Sequence, residues 1–318
     1  MRSAAVFGPM ISCHALEPHL ALFCGLMGLQ PEEPPQTLTA AATNALFGVT
    51  DRQLRVQVLR TPGTRTGMVL LEFDPPPRAC VRERDTALYA DALKVIDFYA
   101  PDFERMLAYM ASAGYSLEPD VAAYELPEGR FQEAHLWGPD NVILGLLGGP
   151  GEFFKRFATV TDRIFSEVQS LSTPVSDLSA VKAFYREVLG LSTVYEYKIT
   201  DPSFGELIGS QETLDLHATN IGRRTEEPYF GLIDYGLAQD QMPSLRNQAA
   251  ELRRGIVGAV VLVPDLQASL AVARRRGDPL CETVVSSIAG RTGVSVAKVR
   301  APHGVEHLLV HVSDIAGF

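Results

Sequence analysis

The sequence is short of cysteine, of positive charge and of long apolar runs, and each shortage removes a class of protein. The four cysteines among 318 residues, Cys13, Cys24, Cys80 and Cys281, have neither paired metal spacing nor the density of a disulfide framework. They read as free thiols of a cytoplasmic protein. Lys and Arg number 28 against 38 Asp and Glu, a formal charge of -10. Phosphate binding needs a basic surface, so nucleic acid is not an expected partner. The runs Arg253-Arg254 and Arg274-Arg275-Arg276 read as solvated helix faces. No apolar run is long enough to span a bilayer, so no membrane is expected either. Met1 to Ala5 opens no apolar stretch of the kind a secretion signal carries. The length suits two domains with sizeable cores.

What is present is organised around Leu171 to Leu191. This stretch starts as a strand and turns at Ser176-Asp177, where the Asp177 carboxylate is suited to cap a helix. Leu178, Val181, Phe184, Tyr185 and Val188 follow at helical spacing, and Gly190 stands where the chain must leave the helix. Strand, cap and helix recur elsewhere. Ser3 to Cys13 leads to a helix over Leu16 to Leu26. Leu93 to Tyr99 leads through Asp102 to a helix reaching Met110. Val257 to Val263 leads through Asp265 to a helix ending at Arg276-Gly277. Between these units lie strand patterns at Leu54 to Arg60, Met68 to Phe73, Val121 to Glu125, Phe131 to Trp137, Asn141 to Leu147, Thr193 to Ile199, Phe204 to Ile208, Thr213 to Thr219, Tyr229 to Tyr235, Cys281 to Ser287, Val294 to Arg300 and His307 to Val312. A connecting segment at Phe153 to Phe165 and a polar stretch at Ser244 to Arg253 read as helical.

The cap positions Ala15, Asp102, Asp177 and Asp265 are about 75 to 88 residues apart, the mark of an internally repeated unit. One unit is a strand, a helix and about three more strands. Alone it leaves a sheet face bare, and two together can curl around a pocket. The expected fold is therefore α+β, with four βαβββ modules paired into two domains whose curved mixed sheets enclose pockets. Gly148-Gly149-Pro150-Gly151 is the clearest break. It divides the chain into residues 1–150 and 151–318, each a pair of neighbouring modules.

The run Val175-Ser176-Asp177-Leu178 to Phe184-Tyr185, closing on Leu189-Gly190-Leu191, resembles the vicinal oxygen chelate superfamily, also called the glyoxalase/bleomycin resistance/dioxygenase fold. Val263-Pro264-Asp265-Leu266 is similar to the same opening, and Ala301-Pro302-His303-Gly304 to the turn before that family's last strand. The resemblance implies a small-molecule partner and is compatible with a homodimer. It spans metal-dependent isomerases, epimerases, ring-cleaving dioxygenases and thiol transferases, and also metal-free proteins that sequester drugs. The family's metal ligands lie early in the first strand and in the last strand of each module. Here the counted positions are Gly8, Val95, Ser170 and Gly258, then Glu72, Gly145, Asp234 and Leu308. Only Glu72 and Asp234 keep a carboxylate, so no metal ligand is assigned. A cofactor-free site is the expectation, with a divalent metal left open.

Candidate catalytic residues are then His135 and His217 on pocket strands, where imidazole can act as acid or base near neutrality, with the carboxylates Glu72 and Asp234. Glu72 has a structural alternative in pairing with Arg55. Tyr99, Trp137 and Tyr235 are candidates to bind an aromatic substrate, with plain core packing as the alternative. Gly145 to Gly149 is no phosphate loop, because no Lys-Ser/Thr follows. Two functions follow from these readings. One is a lyase or isomerase moving a proton on a small carbonyl or aromatic metabolite. The other is a metal-free protein sequestering a hydrophobic metabolite or antibiotic. A metal-dependent glyoxalase-like or dioxygenase enzyme is the third, if the ligand count is wrong.

Overall fold

Three of the four helix-opening positions carry aspartate, and all three cap. Asp102, Asp177 and Asp265 each accept a hydrogen bond from the backbone N–H three residues on, at 3.0, 2.9 and 2.9 Å. Gly190 and Gly277 close their helices in the left-handed conformation, at φ 64° and 78°. These contacts belong to a computed structural model, which describes residues 3–115, 117, 120–210, 213–238, 240–250, 252–279, 281, 283–288 and 291–315. Ala15 has no side chain to cap with. There the Glu72 carboxylate, 56 residues away in sequence, accepts from Leu16 N at 3.0 Å. A long-range carboxylate thus replaces the local cap.

Four modules are present and they form two sheets. The leading strand of each module is central: Ala5–Cys13, Val95–Tyr99, Val168–Pro174 and Gly255–Val263. Ala5–Cys13 and Gly255–Val263 pair antiparallel, with Pro9 opposite Ala259. Val95–Tyr99 and Val168–Pro174 do the same, with Ile96 opposite Leu171. The first sheet therefore joins modules one and four in nine strands, and the second joins modules two and three in eight. This corrects the pairing of neighbouring modules over 1–150 and 151–318, because the break at 148–151 falls inside the second sheet. The connections explain it. Residues 149–167 join modules two and three directly, and the linkers after modules one and three, of similar length, lie against each other. Cys80 bridges Arg254 and Asp91 bridges Ser244, and the buried Arg82 guanidinium donates to the carbonyls of Ala87, Ala90 and Leu93.

Four further segments depart from the strand and helix patterns. Phe204 to Ile208 is not a strand but lies in a helix over Pro202–Leu207, because Asp201 caps it and Pro202 fits its first position. Only Gly151–Phe154 of the connecting segment is an α-helix. The helix at 244–253 shortens to Arg246–Ala250, with residue 251 outside the described residues. In the strand expected over 281–287, residue 282 is likewise outside them, and the ladder starts at Val284. One helix is unexpected, Ala40–Phe47, although Thr39 caps its start and Gly48 closes it at φ 67°. Its Phe47 packs edge-on against Phe73, 5.4 Å between ring centroids. Since Phe73 and Glu72 alternate, this helix covers the sheet face opposite the one Leu16 meets. Module one's own insertion thereby fills the concave side of the first sheet.

Candidate active site

The second sheet is filled only in part, where Phe204, Leu207 and Ile208 pack among Val95, Ile143 and Ile233. It curves around a small cavity of about 60 Å³ that opens into a solvent-filled mouth. Strand alternation selects the lining. Val95–Tyr99 presents Asp97, Gly129–Trp137 presents Phe131 and Glu133, and Val168–Pro174 presents Ser170 and Ser172. Ser192–Ile199 adds Tyr195 and Tyr197, Leu216–Gly222 adds Asn220, and Tyr229–Asp234 adds Tyr229 and Gly231. Phe153 and Phe154, from the link between modules two and three, complete an aromatic wall with Tyr124.

Asp97 lies at the junction of the two modules. Ser170 Oγ and Ser172 Oγ both donate to its Oδ2, at 2.5 and 2.6 Å. Its Oδ1 occupies space left by Gly145, where a Cβ would come within 2.2 Å of that oxygen. Burial first, then the nearby Glu133 carboxylate, push the Asp97 carboxyl up to about 7, against the pull of the two serines and Lys94. Glu133 goes the other way. Burial raises it, but the His135 ring at 2.9 Å and the Lys94 charge outweigh burial and hold it below the usual carboxylate range. The pair therefore splits into a charged Glu133 and an Asp97 that titrates near neutrality. Burial lowers the Lys94 ammonium. Burial also keeps the lining phenols Tyr124, Tyr195, Tyr197 and Tyr229 protonated, so they are donors.

None of the seven residues singled out from the sequence lines the cavity, though several stand directly behind it. His135 is fully buried and holds Glu133. Tyr99 stacks on Phe154 at 3.8 Å, and Tyr235 lies with its hydroxyl 3.5 Å from Lys94 Nζ. Trp137 is half-buried under the Arg84 guanidinium at 4.8 Å. His217 and Asp234 alternate out of phase with Asn220 and Gly231, so they face away from the cavity, and Asp234 caps the turn at Gly236 N, 2.9 Å. Glu72 belongs to the other sheet. It pairs with Arg55 at 3.0 Å, the structural alternative, and caps the first helix.

Asp97 was legible by the argument used for Glu72, a lone carboxylate in an apolar strand, Val-Ile-Asp-Phe-Tyr. Counting back from the cap placed the site at Val95, one pleat early. Glu133 and Ser172 carried no signal of their own, whereas Ser170 and Gly145 stood at counted family positions.

A divalent ion would need three or four N or O donors on one point. The cavity offers one carboxylate engaged by two serine hydroxyls, glycines at positions 145 and 231, and a Glu133 held by His135. That donor set does not fit the metal site implied by the resemblance. Among the described residues, three metal-ligating side chains converge only at Cys13, His19 and Asp140, outside this cavity.

No family profile and no curated protein matches the sequence. Solved structures do. Glyoxalase I from Zea mays superposes with a TM-score of 0.63 at 11% identity, covering 97% of this chain and 92% of that one. A Bacillus subtilis protein provisionally described as a dioxygenase gives 0.54 at 11% identity, over 97% of this chain and 85% of that one. Both likenesses run through all four modules, and the chain accordingly has the vicinal oxygen chelate fold, in its four-module form.

Proposed function

We propose that the chain is an enzyme, a lyase or isomerase that moves a proton on a small carbonyl or aromatic metabolite, with Asp97 as the proton-transfer group. The observation that carries this reading is the Asp97 carboxyl, buried in the cavity between two modules and titrating at about 7. Such a group is present in both protonation states near neutral pH, so it can take a proton and return it. Two serine hydroxyls fix one oxygen and leave the other free over Gly145. The phenols and Asn220 supply donors for the enolate-like charge that develops when a proton leaves carbon. The aromatic wall excludes water and suits a planar substrate. His135 acts here as a positioning residue, holding Glu133 charged so that the proton stays on Asp97.

The same wall favours a second reading, sequestration of a hydrophobic metabolite. The two separate cleanly. Small ketones, hydroxyketones and phenols are screened by thermal shift, and the hits are incubated in heavy water and followed by NMR. The wild type should exchange or rearrange carbon-bound hydrogen. Asp97→Asn should lose that activity by roughly a hundredfold or more and keep affinity within a few-fold. Hits that bind both proteins equally and exchange nothing in either would establish sequestration instead.

A further inference from the structure

Outside the cavity, three chain segments bring a thiol, an imidazole and a carboxylate together. Cys13 ends the first strand, His19 lies on the helix after it, and Asp140 comes from the turn before the last strand of module two. One ligand atom from each lies within 4.8 Å of the others. Cys13 and His19 are fully buried, and the Asp140 side chain is 6% exposed. His19 Nε2 is 3.0 Å from Asp140 Oδ2, while its Nδ1 is buried with no hydrogen-bond partner. Nε2, the nitrogen facing Asp140, is the one placed to ligate an ion.

The backbone around the cluster is held in costly conformations. Asp140 and Asn141 both have positive φ, 52° and 57°, which a non-glycine residue adopts at some expense. The Asn141 amide ties this turn to Arg82 O at 2.9 Å. Arg254, from the start of module four, binds Asp140 Oδ1 at 2.9 Å, and His14 N donates to Oδ2 at 2.8 Å. The helix bearing His19 passes directly into a π-helical turn over Ala21–Leu26, a distortion that recurs at functional sites.

We propose that Cys13, His19 and Asp140 form a divalent transition-metal site, zinc by donor type, that clips module one to the turn of module two. Sulfur, nitrogen and carboxylate oxygen together select a borderline ion over magnesium or calcium. Zinc bonds of about 2.3 Å to sulfur and 2.0–2.1 Å to nitrogen put tetrahedral ligand atoms roughly 3.3–3.6 Å apart. To reach that, the 4.8 Å spread closes by up to about 1.2–1.5 Å while the 3.0 Å His19–Asp140 pair opens slightly. On binding, the thiol releases its proton to solvent, Nε2 exchanges its hydrogen bond to Asp140 for the ion, and the ring proton moves to Nδ1. Thiolate and Oδ2 carboxylate balance the dication, and Arg254 keeps the other carboxylate oxygen. Three protein ligands leave a fourth position for water. The ion is structural, since none of the cavities described among these residues is lined by Cys13, His19 or Asp140.

The test is titration of chelator-stripped, tag-free full chain with Co(II), followed by zinc. One equivalent of cobalt should give a near-ultraviolet thiolate charge-transfer band, and zinc should abolish it and raise the unfolding midpoint. Cys13→Ser should lose the band. His19→Gln and Asp140→Asn should weaken cobalt binding by more than about a hundredfold, beyond what removing an outer-shell partner does. Asp97→Asn should bind cobalt as the wild type does, which separates this site from the cavity. If Cys13→Ser does not fold, the His19→Gln titration decides. No stoichiometric cobalt or zinc, a band that survives Cys13→Ser, or one lost in Asp97→Asn, would overturn the proposal.

Discussion

Replacing Asp97 by asparagine should stabilise the fold above neutral pH while removing proton transfer. The two side chains have nearly the same shape, and the amide oxygen can still accept from Ser170 and Ser172. What changes is charge. The carboxyl ionises at 3.8 when solvated and holds its proton to about 7 in the folded chain. Between those values the folded protein keeps a proton that the unfolded chain has released. Stability is therefore highest below the lower value and falls as pH rises through the upper one. At about 1.4 kcal/mol per pH unit, the loss is on the order of 4 kcal/mol. The assay is urea unfolding of both proteins at a series of pH values from about 4 to 8. Groups common to both cancel in the difference, so the advantage of asparagine should grow across that window and then level off. An advantage that does not vary with pH, or a variant weaker than wild type in alkali, would mean that Asp97 is ionised in the folded state. The proton-transfer argument would fall with it.

Other substitutions test the same frame. Glu133→Gln removes a charge that raises Asp97, and Lys94→Met removes one that lowers it; the Asp97 limb of the pH–rate profile should move to lower pH in the first and higher pH in the second, and equal shifts would mean another group sets the limb. Tyr195→Ala, which takes a ring from the cavity wall, should weaken ligand affinity about five- to tenfold by calorimetry, in line with the worth of one aromatic contact. Gly8→Ala should cost on the order of 3 kcal/mol in urea unfolding or prevent folding. The Cβ would sit 1.7 Å from Gly67 O at a backbone φ of 150°, and a stable Gly8→Ala protein would show that the first sheet is not held at this contact.

The sequence by itself determined most of what is local, though the capped helices Ala40–Phe47 and Pro202–Leu207 were not read from it. Helix caps, glycine stops and apolar periodicity are set by neighbours a few residues away, so Asp102, Asp177 and Asp265 announced the four modules and hence the fold. The same local logic offered Arg55 as a structural partner for Glu72 beside the catalytic reading, and the structure pairs the two. Tertiary structure decided the rest. Which leading strands pair is fixed by how the linkers at Cys80 and Asp91 lie against Arg254 and Ser244, contacts more than 150 residues apart in sequence. Which side chains share the cavity depends on a strand phase that one residue reverses, and this sends His217 and Asp234 outward while Asp97 faces in. The charge state of Asp97 depends on Glu133, His135 and Lys94 meeting it in a buried space, and the Cys13–His19–Asp140 cluster depends on a turn from another module. Such encounters have no local signature, because distance along the chain says nothing about distance across a closed sheet.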